Sequence, residues 1–463
     1  MRCSWILSCV LLTGCAAYQP KPLDSARLAQ RFDQRSLADP ALREYIERES
    51  GQPLPAWPPA RWDARTLTLA AGFYNPALAV ARAQQQAAAG SIETAGARPN
   101  PTLAFPFEFE IKHHDGGHPY TTGPALSWPI ETAGKRPARV ALAEAQAEAV
   151  RMNALGTAWK IRSQVRAAVR AVFLASRRGE LLADKLQWAR RSVELLQRRL
   201  DAGAAAMPDL RRQQLLAAQA EAELSASRIA LASARAQLAT AVGIPVAALD
   251  AVQLDFGELA QPLVAPAAAD ARRSAIEHRS DLRAALADYD AGQAALRLEI
   301  AKQYPDFQIG TGYTYDVGAN KISFGLGGVT LPLFDRNQGG IAQAEAKRSE
   351  LAGRVEALQE AVLNELDNSL ARYRESGAAA ARAAAQLSVA ARQRGAVQAG
   401  FAAGAADRLE LSLAQVDYQA YALDYLNAVA AMQDAAGQLE DAIQQPLPHD
   451  AAALTFTPSG TAP

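Results

Sequence analysis

Three of the chain's five histidines lie together in one short segment. His113, His114 and His118 flank Asp115, and imidazole nitrogens with a carboxylate are ligands that zinc and similar divalent ions prefer. The same segment contains two glycines and separates two stretches typical of β-strands, so a polar hairpin turn explains its composition without any ligand. We favour the hairpin turn and keep the metal site as the weaker hypothesis.

The remaining residues suggest no catalytic chemistry. Serine, histidine and acidic residues occur without a nucleophile motif, and no glycine-rich phosphate-binding loop follows a strand pattern. Lysine plus arginine and aspartate plus glutamate both number 48, so no overall positive charge would attract a nucleic acid. The sequence therefore predicts that the protein is not an enzyme, has no resident cofactor and has no nucleic-acid partner.

The N-terminus resembles an export signal that ends in a lipid-attachment site. Arg2 precedes the apolar run 5–12, which is too short to cross a bilayer, and Leu12-Thr13-Gly14-Cys15 resembles a bacterial lipobox. Removal of a signal peptide 1–14 would leave Cys15 to carry a covalent lipid. Alanine after this cysteine permits transfer to the outer membrane of a Gram-negative bacterium. An unlipidated secretory signal is the alternative.

Four stretches of alternating apolar and polar residues predict β-strands in a chain that is otherwise rich in helix-forming alanine. They cover about 102–112, 120–131, 307–317 and 321–332. A period of two places aromatic and aliphatic side chains on one face of a strand, with polar residues or glycine on the other. Such strands are typical of membrane-spanning β-barrels, and two half-buried hairpins in a soluble domain are the alternative.

The order of elements repeats after roughly two hundred residues. Asn75-Pro76 and Arg279-Ser280-Asp281 each open a helix that leads to a strand pair. Long helices follow in both halves, separated by the similar turns 201–205 and 402–406. We therefore predict a signal peptide 1–14, a lipidated extended segment 15–65, a first repeat 66–243, a linker 244–270, a second repeat 271–445 and a disordered tail 446–463.

The long helices are patterned to pack against one another. Apolar residues spaced by three and four in 182–200 and 409–423 predict coiled-coil seams. Four strands cannot close a barrel and an open sheet edge cannot face lipid, so further copies of the chain must supply the remaining strands. Three copies would give twelve strands around a pore on the symmetry axis. A coiled-coil lipoprotein without a pore is the alternative.

Together these features resemble the outer-membrane efflux proteins, the TolC-like channel-tunnels, over about 67–444. The segments SWPIETAGKRPARVALAEA (127–145) and LPLFDRNQGGIAQAEAKR (331–348) resemble the cobalt–zinc–cadmium branch. The resemblance implies a mainly α fold with a transmembrane β-barrel, in which a homotrimer forms a 12-stranded barrel on a long α-helical periplasmic tunnel. It also implies a passive exit duct for divalent heavy-metal cations, with drug efflux or type I protein secretion as alternatives. The implied partners are outer-membrane lipid, a periplasmic adaptor protein and an inner-membrane resistance–nodulation–division antiporter.

The same resemblance places the turns between the long helices at the periplasmic tip. Threefold symmetry converts each residue there into a ring, and acidic rings select cations. We expect Asp407, with Glu410 or Asp209, to line the closed tip, although Asp407 and Asp209 could instead cap the helices that follow. The expected adaptor contacts are Gly203, Gly404 and Ala405.

Overall fold

The computed structural model describes residues 18–109, 111, 119–250, 252–260, 263–316 and 318–448. Several predicted features lie outside these residues: the signal peptide, Cys15, the segment with His113, His114 and His118, and the end of the tail. The described helices are α1 (Ser25–Asp33), α2 (Pro40–Ser50), α3 (Ala64–Tyr74), α4 (Pro76–Gly96), α5 (Lys135–Asp201), α6 (Met207–Val242), α7 (Ala268–His278), α8 (Ser280–Ala301), α9 (Gln338–Ala402) and α10 (Arg408–Ile443). The described strands are β1 (Thr102–Ala104), β2 (Phe107–Phe109), β3 (Tyr120–Thr122), β4 (Ala125–Ile130), β5 (Phe307–Asp316) and β6 (Ala319–Leu326).

The two halves of the chain repeat one order of elements. A helix (α4 or α8), a group of strands and two long helices follow one another in each half. At the matching joints, the Asn75 side-chain amide donates to the Ala241 carbonyl at 3.0 Å, and the Arg279 guanidinium donates to the Ala442 carbonyl at 3.0 Å. In each half, the residue that precedes or opens the first helix therefore donates a hydrogen bond to a carbonyl at the C-terminal end of the last helix. The predicted duplicated, mainly helical fold is confirmed.

The strands of the first half are interrupted where the alternation predicted continuous strands. Within the predicted strand 102–112, residues 102–104 form β1 and 107–109 form β2, and the break between them contains Pro106, which has no N–H to donate to a ladder. Residues 120–131 form β3 and β4 with a break at Gly123, where a Cβ atom would lie 1.8 Å from the Tyr313 carbonyl oxygen. The close approach of β5 to this glycine explains the second break.

The long strand β5 lies at the centre of a single antiparallel sheet. It pairs with β4 along 307–312, with β3 at its other end, and with β6 on its opposite side. β6 ends at Leu326, earlier than the predicted 332, and Gly327 and Gly328 follow it. Within the described residues, β6 has one paired side, and β1 and β2 pair only with β4 and β3. In the single chain both sides of this sheet therefore end in strand edges.

The four longest helices form an open row. α5 has 67 residues and α9 has 65, which corresponds to about 100 Å each at 1.5 Å per residue. α6 packs against α5, α5 packs against α10, and α10 packs against α9. Across the described residues α6 and α9 make no extended contact, so they are the two flanks of this row. The part of the chain that the structure describes contains no helix apolar and long enough to cross a membrane.

The N-terminal segment and the linker pack at mid-height of the row, against the middle of α5 and the end of α6. α2 buries Leu42 and Ile46 in the same apolar cluster as Trp62 of the N-terminal segment. The Trp62 amide donates to the Gln253 carbonyl at 2.9 Å, and the Trp62 carbonyl accepts from the Asp255 amide at 2.8 Å. The proline-rich sequence predicts an extended segment with one short helix near 40–49; α2 lies at that place, and α1 is a further helix in the segment.

Candidate functional site: the turns at the helical tip

The turns between the paired long helices have the same backbone conformation. α5 ends at Asp201 and α9 ends at Ala402, and each helix is followed two residues later by a glycine with positive φ: Gly203 at +73° and Gly404 at +74°. The next amide donates to the carbonyl five residues back at 2.7 Å in both turns, from Ala204 to Arg199 and from Ala405 to Gly400. This is the Schellman ending, which favours glycine because a side chain at positive φ strains the backbone.

Asp407 caps the helix that follows the second turn. Its Oδ1 accepts from the amides of Leu409 at 2.7 Å and Glu410 at 3.0 Å. The Glu410 carboxylate in turn accepts from the Asp407 amide at 3.0 Å, which completes a capping box. Asp407 and Glu410, two of the residues predicted to line the tip, are therefore in direct contact and both stabilise the start of α10.

The second oxygen of Asp407 binds an arginine from the other half of the chain. The Arg199 guanidinium, in the last turn of α5, donates to Asp407 Oδ2 in a close ion pair. The hydrogen bond from the Glu410 amide and the Arg199 guanidinium lower the pKa of Asp407 below its ordinary value. The sequence did not reveal Arg199, because a basic residue near a helix C-terminus is already explained by the helix dipole. The ion pair joins the two turns across 208 residues of sequence.

Asp209 occupies a different position from the one expected of a capping residue. Ala206 precedes α6 and supplies no side-chain cap, and Asp209 is the third residue of the helix. A carboxylate in the first turn still interacts favourably with the helix dipole. Its Oδ1 lies 3.9 Å from the Arg212 guanidinium, and its side chain is about half exposed. Unlike the other two acids, Asp209 makes no capping hydrogen bond.

A polar seam between α5 and α10 holds the two turns side by side. We call it the α5–α10 seam, and its contacts in order from the tip are Arg199–Asp407, Arg178–Asn427, Arg170–Asp434 and Arg166–Glu440. Arg166 and Arg199 are separated by about 50 Å of helix. The Glu440 side chain is only 4% exposed, and it accepts from the Arg166 guanidinium and from the Leu447 amide at 2.9 Å. The seam is therefore buried at its far end and open to water at the tip.

The tip carries charges of both signs beside exposed turns. Its charged groups include the carboxylates of Asp209, Asp407 and Glu410 and the guanidinium groups of Arg199 and Arg212, and its exposed turns consist mainly of alanine and glycine. In the described part of the chain, no three or more His, Cys, Asp or Glu side chains are arranged to hold a metal ion. Gly203, Gly404 and Ala405 all lie in the exposed turns, where another protein could reach them.

A duplicated row of long helices that ends in paired turns and carries one β-sheet defines a channel-tunnel fold. The chain belongs to the outer membrane efflux protein family, whose model matches residues 73–244 and 271–443, one match in each repeat. The predicted family and the predicted outer-membrane location are confirmed. Members of this family are efflux channels, so the protein is an efflux channel and not an enzyme.

Individual relatives agree with this assignment. The chain is 29% identical over 306 residues to the cobalt-zinc-cadmium resistance protein CzcC of Cupriavidus metallidurans, covering 62% of this chain and 68% of CzcC. The crystal structure of VceC from Vibrio cholerae superposes with a TM-score of 0.68 at 19% identity, covering 83% of this chain and 96% of VceC. The crystal structure of CusC superposes with a TM-score of 0.66 at 17% identity, covering 82% and 91%. The structural matches establish the fold.

Proposed function

We propose that three copies of this chain form the outer-membrane exit duct of a tripartite pump for divalent heavy-metal cations. The similarity to a cobalt-zinc-cadmium resistance protein is the observation that supports the cargo. The open sheet and the open helical row support the assembly, because each has two unpaired sides that a neighbouring copy could cover. Cyclic symmetry closes such a row into a tube without leaving an edge.

The sheet carries the side chains that a lipid-facing surface needs. Apolar residues at the two edges are well exposed in the single chain; they include Leu103, Phe107, Phe109, Ile322, Phe324 and Leu326. Exposed apolar surface of this extent is unfavourable in water and favourable against lipid tails. Closure of three sheets into one barrel would satisfy the edge strands as well.

The proposed partners are a periplasmic adaptor and an inner-membrane resistance–nodulation–division antiporter. We place the adaptor at the tip, on the turns with Gly203, Gly404 and Ala405, because these turns are exposed and small side chains allow close backbone approach. An Ala405→Cys variant should form a disulfide or bifunctional crosslink to the adaptor in whole cells. Its absence, while a cysteine elsewhere on the tunnel crosslinks, would contradict this placement.

The cargo can be tested by growth of a strain that lacks the protein. Complemented and uncomplemented cells would be compared in graded zinc, cobalt, cadmium and copper, and in several dyes and antibiotics. Sensitivity confined to divalent metals supports the proposal and narrows the ion. Sensitivity to dyes and antibiotics instead would keep the channel and assign it to drug efflux. A wide duct needs no binding site for its cargo, so the histidine segment 113–118 has no required role in this function.

We further propose that Asp407, Glu410 and Asp209 form acidic rings at the closed tip and that the Arg199–Asp407 ion pair holds it closed. The ion pair joins the two helical hairpins of one copy at their ends, where a small outward movement of α10 would widen the passage. Among the three acids, Asp209 has the weakest side-chain interaction, an ion pair with Arg212 of its own helix at 3.9 Å, so its ring would contribute most to cation selectivity. Single-channel recordings of Asp209→Asn should show reduced cation selectivity.

The lipid on Cys15 is also a proposal, and chain length supports it. Residues 16–24 span at most about 30 Å when extended. α4 rises about 31 Å to the sheet from the level of Tyr74 and Asn75, where Arg35 binds just after α1. A cysteine ten residues before the start of α1 can therefore just reach the membrane level. Mass spectrometry of the mature N-terminus should find Cys15 modified by a diacylglycerol and an acyl chain, and Cys15→Ser should abolish both.

A further inference from the structure

The nine-residue helix α1 has no packing partner among the described elements of its own chain. None of its residues is buried, and it makes no extended contact with another described element. Its apolar side chains Leu28 and Phe32, one helical turn apart, are 45% and 40% exposed. Helices shorter than about 12 residues are only marginally stable in water unless an apolar face packs against something. α1 therefore requires a surface that the described part of the single chain does not supply.

Arg35 fixes α1 at one flank of the helical row. The Arg35 guanidinium donates to the Gly243 carbonyl at 2.6 Å and to the Tyr74 carbonyl at 3.2 Å, at the ends of α6 and α3. The same guanidinium lies over the Phe32 ring at 5.4 Å, which links the helix to this anchor. Because α6 is a flank of the row, α1 stands where a neighbouring copy would meet this one.

Lipid is too far away to cover α1. The level of Tyr74 and Asn75 lies about 31 Å below the sheet, which is the length of α4, whereas α1 is only about 13 Å long. The remaining surface on that flank is the next copy. Closing the open row places α9 of the next copy beside α6 of this one, because α6 and α9 are the two free flanks. This step rests on the proposed trimer.

The part of α9 at the height of α1 can be read from contacts within one chain. Three pairs set the register between neighbouring long helices: Lys185–Glu223 for α5 and α6, Arg166–Glu440 for α5 and α10, and Arg372–Gln438 for α9 and α10. Taken in order, they place Val242 at the end of α6 level with Arg166 of α5, Arg166 level with Glu440 of α10, and Glu440 level with about residue 370 of α9. The proposed lipid on Cys15 draws the chain before α1 toward the sheet, so we take the part of α9 on the sheet side of this level, residues 355–371, as the segment within reach of α1.

That segment complements α1 in charge and shape. Residues 355–371 contain no lysine or arginine and four exposed acids, namely Glu356, Glu360, Glu365 and Asp367, of which Glu365 pairs with Arg279 of its own chain at 2.7 Å. An adjacent exposed stripe is made of small and amide side chains at spacings of three and four, namely Ala357, Ala361, Asn364, Asn368 and Ala371. On α1, exposed Arg27 and Arg31 flank the stripe of Leu28 and Phe32. Both surfaces thus carry a charged row beside a row that can pack.

We propose that α1 docks on residues 355–371 of α9 in the next copy of the chain. Leu28 and Phe32 pack on the alanine and asparagine stripe, and Arg27 and Arg31 face Glu360 and Asp367. The N-terminal segment then binds the neighbouring subunit at mid-height of the tunnel. This contact joins the α6 flank of one copy to the α9 flank of the next, independently of the barrel.

Site-specific photocrosslinking of the full-length protein in outer membranes tests this contact. The Leu28→p-benzoylphenylalanine variant should give adducts of two and three copies after irradiation, and Gln30→p-benzoylphenylalanine, on the opposite face of α1, is the matched control. Trypsin cuts after Arg354 and Arg372, so the adduct should map to the single peptide 355–372. Adducts confined to lipid, to another protein or to the same copy would overturn the docking.

A charge exchange separates a direct contact from a general effect on assembly. Arg27→Glu with Arg31→Glu should abolish the Leu28 adduct, and Glu360→Arg with Asp367→Arg should restore it in that background. If Glu360→Arg with Asp367→Arg does not restore the adduct, the proposed pairing of Arg27 and Arg31 with Glu360 and Asp367 is contradicted. If the unaltered protein does not migrate as a trimer, the proposed assembly itself fails. If it is a trimer and no adduct reaches α9, only the docking fails.

Discussion

The Arg199–Asp407 ion pair allows the capping and gating roles of one aspartate to be separated. Asp407→Asn keeps a side-chain oxygen for the α10 cap, because asparagine caps helices about as well as aspartate, but it removes the charge that binds Arg199. Arg199→Gln removes the same ion pair from the other side and leaves the cap untouched. If the ion pair holds the tip closed, both variants should open the channel to a similar extent.

The expected size follows from the exposure of the two side chains. They are 41% and 44% exposed, so the pair contributes about 0.2–1 kcal/mol, as solvent-exposed pairs do. Three equivalent pairs breaking together would contribute about 0.6–3 kcal/mol, which changes the ratio of open to closed channels by a factor of about 3 to about 150. The double variant should show no further increase over either single variant, since both remove one interaction.

Single-channel recording in planar bilayers measures this ratio through open probability and conductance. Arg198→Gln is the matched control, because Arg198 also sits in the last turn of α5 but pairs with Glu194 of its own helix at 2.6 Å. Equal opening by Arg198→Gln would show a general charge effect and refute the reasoning. The additive behaviour of Asp407→Asn and Arg199→Gln would also refute it.

The same ion pair predicts how the channel responds to pH. The pKa of Asp407 is lowered on folding, from an ordinary value of 3.8, by its cap hydrogen bond from Glu410 and by Arg199. The ionised Asp407 carboxylate therefore stabilises the closed state fully at any pH above its ordinary pKa. This stabilisation is lost only as the pH falls through the lower pKa that Asp407 has in the folded protein. Open probability should stay constant between about pH 5 and 8 and rise only below about pH 4. A rise between pH 5 and 7 would contradict this assignment.

Three further substitutions, two of them with a matched control substitution, test the stability of the fold by thermal unfolding of the purified protein. Glu440→Gln removes the buried carboxylate that pairs with the partly buried Arg166 and should cost about 3–5 kcal/mol, whereas Asp434→Asn, at a pair whose acid is 57% exposed, should cost at most about 1 kcal/mol. Gly203→Ala forces a side chain to positive φ and should cost about 1–2 kcal/mol, whereas Gly90→Ala in α4, with open space around it, should be neutral or stabilising. Gly123→Ala places a Cβ 1.8 Å from a backbone oxygen of β5, so the sheet should be disrupted and trimer yield lost.

Much of this protein is determined by local sequence. Alternation of apolar and polar residues predicted the strand pairs, because side chains on a strand alternate between its two faces. The repeated helix openings at Asn75 and Arg279 revealed the duplication, and the glycines of the turns marked the ends of α5 and α9, because only glycine takes the left-handed conformation without strain. The capping role of Asp407 was also open to prediction, since an aspartate three residues before a glutamate is a local signal.

Only the tertiary structure decided which distant groups meet. Arg199 and Asp407 are 208 residues apart, and no local pattern says which of the many arginines on α5 will face that carboxylate. The break at Gly123 depends on the close approach of β5, and the burial of Glu440 depends on how α10 lies against α5. The periodicity of a helix specifies its apolar face but not the rotation and register of the neighbour it packs against, and these are set by the packing of the whole row.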